Sequence, residues 1–102
     1  MGVDLRWEDE DGKLIDEILD PKMCISHLVL KTDLAGATCL RFIDPYGDTT
    51  FNQNQIPILI EELKATSERV QDNGIREHLR RIIELAETSR GQLHTYLKFY
   101  GD

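Results

Sequence analysis

The hydrophobic period of this chain changes near Asn52, dividing it into a sheet-forming front and a mostly helix-forming rear, and returns to two only after Gly91. Ahead of the change, short apolar runs are punctuated by three segments of the form Asp-x-x-Gly: Asp9 to Gly12, Asp33 to Gly36 and Asp44 to Gly47. An Asp at the first position and a Gly at the fourth meet separate demands of a type I turn, so the recurrence predicts an antiparallel meander before it predicts a shared ligand. Behind the change, Ile56, Leu59, Ile60, Leu63 and Val70 share one helical face, and Ile75, Leu79, Ile82, Ile83 and Ala86 share another.

Within the front half, Asp4 to Glu8 alternates with period two, as a half-buried strand does. Residues 14–19 carry apolar pairs four apart, which suits a short helix, but they follow a turn, which favours a strand. Asp20-Pro21 ends that element. Met23 to Lys31 is rich in β-branched and aliphatic residues and predicts a central strand. Thr38 to Asp44 predicts another, leading through Asp44-Pro45-Tyr46-Gly47 into a hairpin over residues 40–52, with Gly47 supplying a positive φ.

In the rear half, Asn54 is preferred over Asn52 as N-cap of the first helix, because it places Pro57 within the first turn. Asp72-Asn73-Gly74 is expected to stop that helix, and a second runs from about Ile75 to Arg90 before Gly91. Leu93, Thr95, Leu97 and Phe99 then alternate with His94, Tyr96, Lys98 and Tyr100, as a strand would. The expected fold is α+β: an antiparallel β-meander of about five strands, two antiparallel helices on one face, and a C-terminal strand rejoining the sheet. Two helices cover one face of such a sheet, so the other is solvated or covered by a partner.

At 102 residues the chain is expected to form a single domain over 1–102. A composition 40% hydrophobic and 30% charged is that of a soluble protein. No apolar run reaches the ~18 residues of a membrane span. Met1 to Arg6 has neither the basic and apolar regions of a secretory signal nor the Ser or Thr of a myristoylation motif at position 6, so a cytoplasmic location is expected. Cys24 and Cys39 are too few for a disulfide scaffold and are expected in the core.

The net charge of −7 argues against a nucleic-acid ligand. It is also unevenly placed. Residues 1–20 hold eight acids against Arg6 and Lys13, whereas residues 21–102 hold eleven acids and ten bases. Clustered acid is a solvated face, or a means of attracting a basic partner over a distance.

Chemistry-bearing constellations are sparse. Cys24, His27, Cys39 and His94 offer metal-ligand types, but Cys24 and His27 sit three apart on an expected strand and point to opposite faces. Aligning Gly12 with the invariant glycine of a calcium loop puts Trp7 and Ile18 at ligand positions. His78, among Arg76, Arg80 and Arg81, reads as part of a solvated basic helix face. No catalytic, cofactor-binding or metal residue is assigned, and no cofactor is expected. Partner-binding residues are easier to nominate: the acids Glu8, Asp9, Glu10 and Asp11; Tyr46 and Asp48 at the expected hairpin; and Trp7, Tyr96 and Tyr100 on the sheet face away from the helices.

The stretch Leu40-Arg41-Phe42-Ile43-Asp44-Pro45-Tyr46-Gly47-Asp48-Thr49-Thr50-Phe51-Asn52, with the ending Tyr96-Leu97-Lys98-Phe99-Tyr100-Gly101-Asp102, resembles small bacterial immunity-type proteins of polymorphic or contact-dependent toxin systems. The resemblance covers about a third of the chain. It implies a cytoplasmic, non-catalytic protein that binds and blocks a cognate toxin domain, and it transfers no functional residue. A self-associating adaptor and a small enzyme or metal-binding protein are the alternative expectations.

Overall fold

Period two in the first residues produces the expected hairpin. In the computed structural model, which describes residues 2–31 and 36–101, β1 (Asp4–Asp9) pairs antiparallel with β2 (Leu14–Ile18). Between them the Gly12 amide donates to the Asp9 carbonyl at 3.0 Å with Gly12 at φ +81°, a left-handed position that glycine adopts without cost. Asp9 Oδ1 also accepts the Asp11 and Lys13 amides, both at 2.9 Å, so its carboxylate shapes the turn. The register slips between Trp7 and Glu8, leaving Ile15 as the extra residue of a bulge.

The next element departs from expectation. Met23 to Lys31 is not a strand: Cys24–Lys31 forms a helix, α1. Its orphan amino-terminal amides explain why, since the Asp20 carboxylate accepts from Cys24 N at 2.7 Å and from Ile25 N at 3.0 Å. Cys24, Ile25 and Leu28 turn inward while His27 and Leu30 stay outside, so packing at helical spacing overrides β propensity. The Asp33 to Gly36 turn falls largely on residues 32–35, outside the described residues.

Thr38 to Asp44 is not a strand either. It contains one 3₁₀ turn, Leu40–Phe42. The amides of Thr38, Cys39 and Leu40 are all taken by the Glu62 carboxylate, at 2.7, 2.9 and 3.0 Å, and so are not available for a ladder. Residues 40–52 are therefore no hairpin, and only Asp48–Phe51, β3, is extended. The Asp44 to Gly47 turn does form, with Tyr46 N donating to Asp44 Oδ1 at 2.8 Å. Gly47 has no positive φ, however. Its smallness matters instead: a Cβ there would lie 2.8 Å from Asp44 Oδ2. The turn also docks on the chain after the last strand, with Gly101 N donating to Gly47 O at 2.8 Å.

Two long helices follow, α2 (Ile56–Arg69) and α3 (Asn73–Ser89). Asn54 does not cap α2. Asn52 Oδ1 accepts the amides of Asn54 and Gln55, and Gln55 Oε1 accepts the Asn52 amide, a reciprocal arrangement that orders the turn entering the helix. Asp72-Asn73-Gly74 is a start rather than a stop: Asp72 caps α3 by accepting from Ile75 N at 3.0 Å, and α2 has already ended at Arg69. Gly91, at φ +83°, follows the end of α3 as expected.

The last strand, β4 (Thr95–Tyr100), rejoins the sheet at its centre, giving the order β2-β1-β4-β3 with antiparallel neighbours throughout. The fold is α+β, and among the described residues it has four strands in total rather than about five and a further one, and three α-helices rather than two. One core collects Leu5, Phe51, Leu97 and Phe99 from the sheet with Ile25, Leu59, Leu63, Leu79 and Ile82 from the three helices. Each such side chain contributes ~1.5–3 kcal/mol through burial. Phe51 and Phe99 meet edge to face, with centroids 5.9 Å apart. Among the described residues no helix is long and apolar enough to cross a membrane.

Candidate functional site

With the helices on one side, the alternation of β1 and β4 sends Arg6, Glu8, Tyr96, Lys98 and Tyr100 to the other. Cross-strand register sets Arg6 opposite Lys98 and Glu8 opposite Tyr96. There, Tyr100 donates its hydroxyl to Glu8 Oε2 at 2.6 Å, and Arg6 Nε lies 3.6 Å from both Glu8 and Glu17. The Arg6 guanidinium and the Lys98 ammonium stand 5.4 and 4.8 Å from the Tyr100 ring centroid. This cover leaves Glu8 only 7% exposed.

Desolvation and the bond to Glu8 push the Tyr100 phenol up from its ordinary value, against an opposing effect of Lys98. Because the folded state then holds the proton more tightly than the unfolded chain, this group's contribution is complete below pH ~10 and is lost as pH rises through the folded value. Denaturant midpoints at neutral pH and above pH ~10 are expected to fall more steeply for the native chain than for Tyr100→Phe. Equal slopes would mean the bond carries no net stability.

The nominated partner-binding residues are sorted by these contacts. Trp7 is not on the outer face. It lies opposite Leu97 and packs half-buried against the core, with its indole Nε1 buried and without a partner among the described residues. Tyr96 and Tyr100 are on the outer face as expected, half-buried, and Asp48 is exposed opposite Tyr100. Tyr46 is 72% exposed at its turn. Glu8 is sunk in the tyrosine network and Asp9 is bound into its turn, whereas Glu10 and Asp11 are exposed. Glu10 Oε2 lies 3.2 Å from Nδ1 of exposed His94.

A feature that pattern reading missed lies on β2. It is the outermost strand beside β1, and Leu14, Ile15, Asp16 and Glu17 are all exposed along it. Leu19, just beyond, is also exposed. The four exposed acids Glu10, Asp11, Asp16 and Glu17 thus flank an aliphatic strip on an open sheet edge. The only available signal was the absence of strict alternation in residues 14–19.

The metal-ligand types weighed from sequence do not converge, for Cys24 and Cys39 are buried while His27 and His94 are exposed. Cys24 and His27 share a helix, so the strand-based reason for separating them is also wrong. His78 is not on a solvated face. It is 8% exposed and sits with Asp20 and Cys24. Burial lowers the His78 imidazole below its ordinary value despite the nearby Asp20 charge, and burial and Asp20 raise the Cys24 thiol. A raised thiol is the reverse of an activated nucleophile. No protein-family model, no curated protein and no solved structure matches the chain.

Proposed function

We propose that the protein is a non-catalytic binding module of the inhibitor or immunity type, which captures a basic protein partner, such as a toxin domain, on its β2 edge. The observation that carries this is β2 itself. An open edge recruits another strand through its unpaired backbone groups unless Lys, Pro, a bulge or short length blunts it. On β2 the bulge at Ile15 and the bond from Glu17 N to Asp16 Oδ1, at 2.8 Å, discourage such pairing and leave side chains as the means of contact. Here the edge presents Leu14 and Ile15 beside Asp16 and Glu17. Aliphatic contacts would supply affinity, and the acids would speed encounter with a positively charged surface. Tyr46, Asp48, Tyr96 and Tyr100 extend the contact around the sheet.

Self-association through the same edge is the competing use. A two-fold antiparallel pairing of β2 with a second β2 would bring the Asp16 and Glu17 pairs of both copies together, and like charges across a ladder destabilise it. Light scattering is expected to show a monomer, and a dimer would favour the adaptor alternative.

The test is a variant with Glu10→Gln, Asp11→Asn, Asp16→Asn and Glu17→Gln, which spares the structural Glu8 and Asp9. Against a basic partner captured by the native chain, its association rate at low salt should fall roughly tenfold or more, and the difference should shrink at high salt. An unchanged rate at both salt concentrations would defeat the steering role, and unchanged binding by Ile15→Lys would remove the edge from the interface.

A further inference from the structure

Between the end of β2, the start of α1 and the middle of α3, three ligand-forming side chains meet away from the β2 edge. We propose that Asp20, Cys24 and His78 form a binding site for a thiophilic divalent metal ion of the zinc class, with a fourth position open to an adjoining cavity.

The donor atoms of the three residues lie within 4.8 Å of one another. A tetrahedral ion with ordinary zinc bond lengths holds its nitrogen, oxygen and sulfur ligands ~3.3–3.5 Å apart, so small side-chain rotations close the set. His78 Nε2 is 3.7 Å from Asp20 Oδ1, too far for a hydrogen bond. It is also buried with no hydrogen-bond partner among the described residues. An orphan imidazole nitrogen inside a protein costs free energy, and a metal ion would satisfy it without moving the backbone.

Asp20 is built to offer one oxygen. Oδ2 accepts the Val3 and Ile25 amides, at 3.1 and 3.0 Å, while Oδ1 accepts Cys24 N, at 2.7 Å. The Cys24 thiol is itself hydrogen-bonded to this carboxylate, a contact that a metal-bound thiolate would exchange for the ion. Those amide bonds hold the carboxylate as a monodentate ligand in the manner of outer-shell contacts. Charge balance points the same way, because a carboxylate plus a metal-bound thiolate neutralise a divalent cation, and a neutral cluster suits a site where the three residues are 2%, 8% and 8% exposed.

Beside the trio lies a cavity of about 240 Å³ whose other walls include Lys22, Glu77 and Arg81. The two cations at its rim disfavour a bare metal ion there but suit water or a small anion as the fourth ligand. The arrangement is that of an open site rather than a closed structural one.

This site is independent of the β2 edge, and its test needs no partner. The full chain, stripped with chelator, is titrated with Co(II) alone and then with Zn(II). One equivalent of Co(II) is expected to give thiolate charge-transfer absorption and tetrahedral d–d bands, both abolished by Zn(II). Zn(II) at a hundredfold excess over its dissociation constant should raise the thermal midpoint by roughly 10–20 °C. Cys24→Ser should lose the charge-transfer band and His78→Gln should weaken binding at least tenfold, both with native circular dichroism, whereas Cys39→Ser and His27→Gln should bind normally. Absence of the charge-transfer band in the native chain overturns the site whatever the variants do, as does its persistence in Cys24→Ser or its loss in Cys39→Ser.

Discussion

Asp20→Ala is expected to unfold the protein or leave it barely stable. The Asp20 side chain is fully buried and accepts three backbone amides, from Val3, Cys24 and Ile25. Removing it strands three buried donors at ~1–3 kcal/mol each, a loss of ~3–9 kcal/mol that overlaps the lower part of the ~5–15 kcal/mol of a domain this size. The backbone around it has no slack. Gly2 runs so close that a Cβ would lie 2.0 Å from the Asp20 carbonyl, and Met23 holds φ +56° immediately before α1. Asp20→Asn keeps the shape yet turns one oxygen into an amide that faces a backbone donor, so it should recover only part of the loss. Urea denaturation followed by circular dichroism measures both, and a change under ~1 kcal/mol for Asp20→Ala would show that water replaces the carboxylate and that the linchpin role is wrong.

Phe99→Ala is the second large effect, with an expected loss of ~3–5 kcal/mol. Phe99 is completely buried on the central strand and opposes Leu5 on one side and Thr49 on the other. Its ring also meets Phe51 edge to face. Because β4 is held on both sides, the backbone cannot close onto the space left, and the cavity term adds in full. Phe99→Leu should cost clearly less. The same urea curves check it, and equal losses for Ala and Leu would mean that ring geometry rather than volume matters there.

These two residues mark where sequence was legible and where it was not. Phe99 lies in a run of strict alternation beyond a helix-ending glycine, so its strand and inward face followed from period alone. Asp20 looked like a helix breaker's neighbour, and nothing local signals that its carboxylate binds amides at residues 3, 24 and 25. Long-range capture of backbone donors by one carboxylate also explains the two strands that did not form. Asp20 seeds α1 where β propensity favoured a strand, and Glu62, on a helix not yet begun in the sequence, strips Thr38 to Leu40 of their ladder. Period reads faces, but it is blind to such partners. The acidic cluster shows the same limit, since summed charge treats Glu8, Asp9, Asp16 and Glu17 alike, while the folded chain occupies the first two structurally and exposes the others.

The central position of β4 carries a consequence for biosynthesis. β1 finds its inner neighbour only in residues 95–100, and β3 pairs with that strand alone. On a ribosome, everything up to residue 94 can offer only the β1–β2 hairpin, a solitary β3 and helices with no sheet to cover. Isolated hairpins are marginal in water, and long-range pairing is slow. The nascent chain therefore carries an unfinished apolar face until residues 95–100 emerge, and a chain cut before residue 95 would be a substrate for chaperones and proteases.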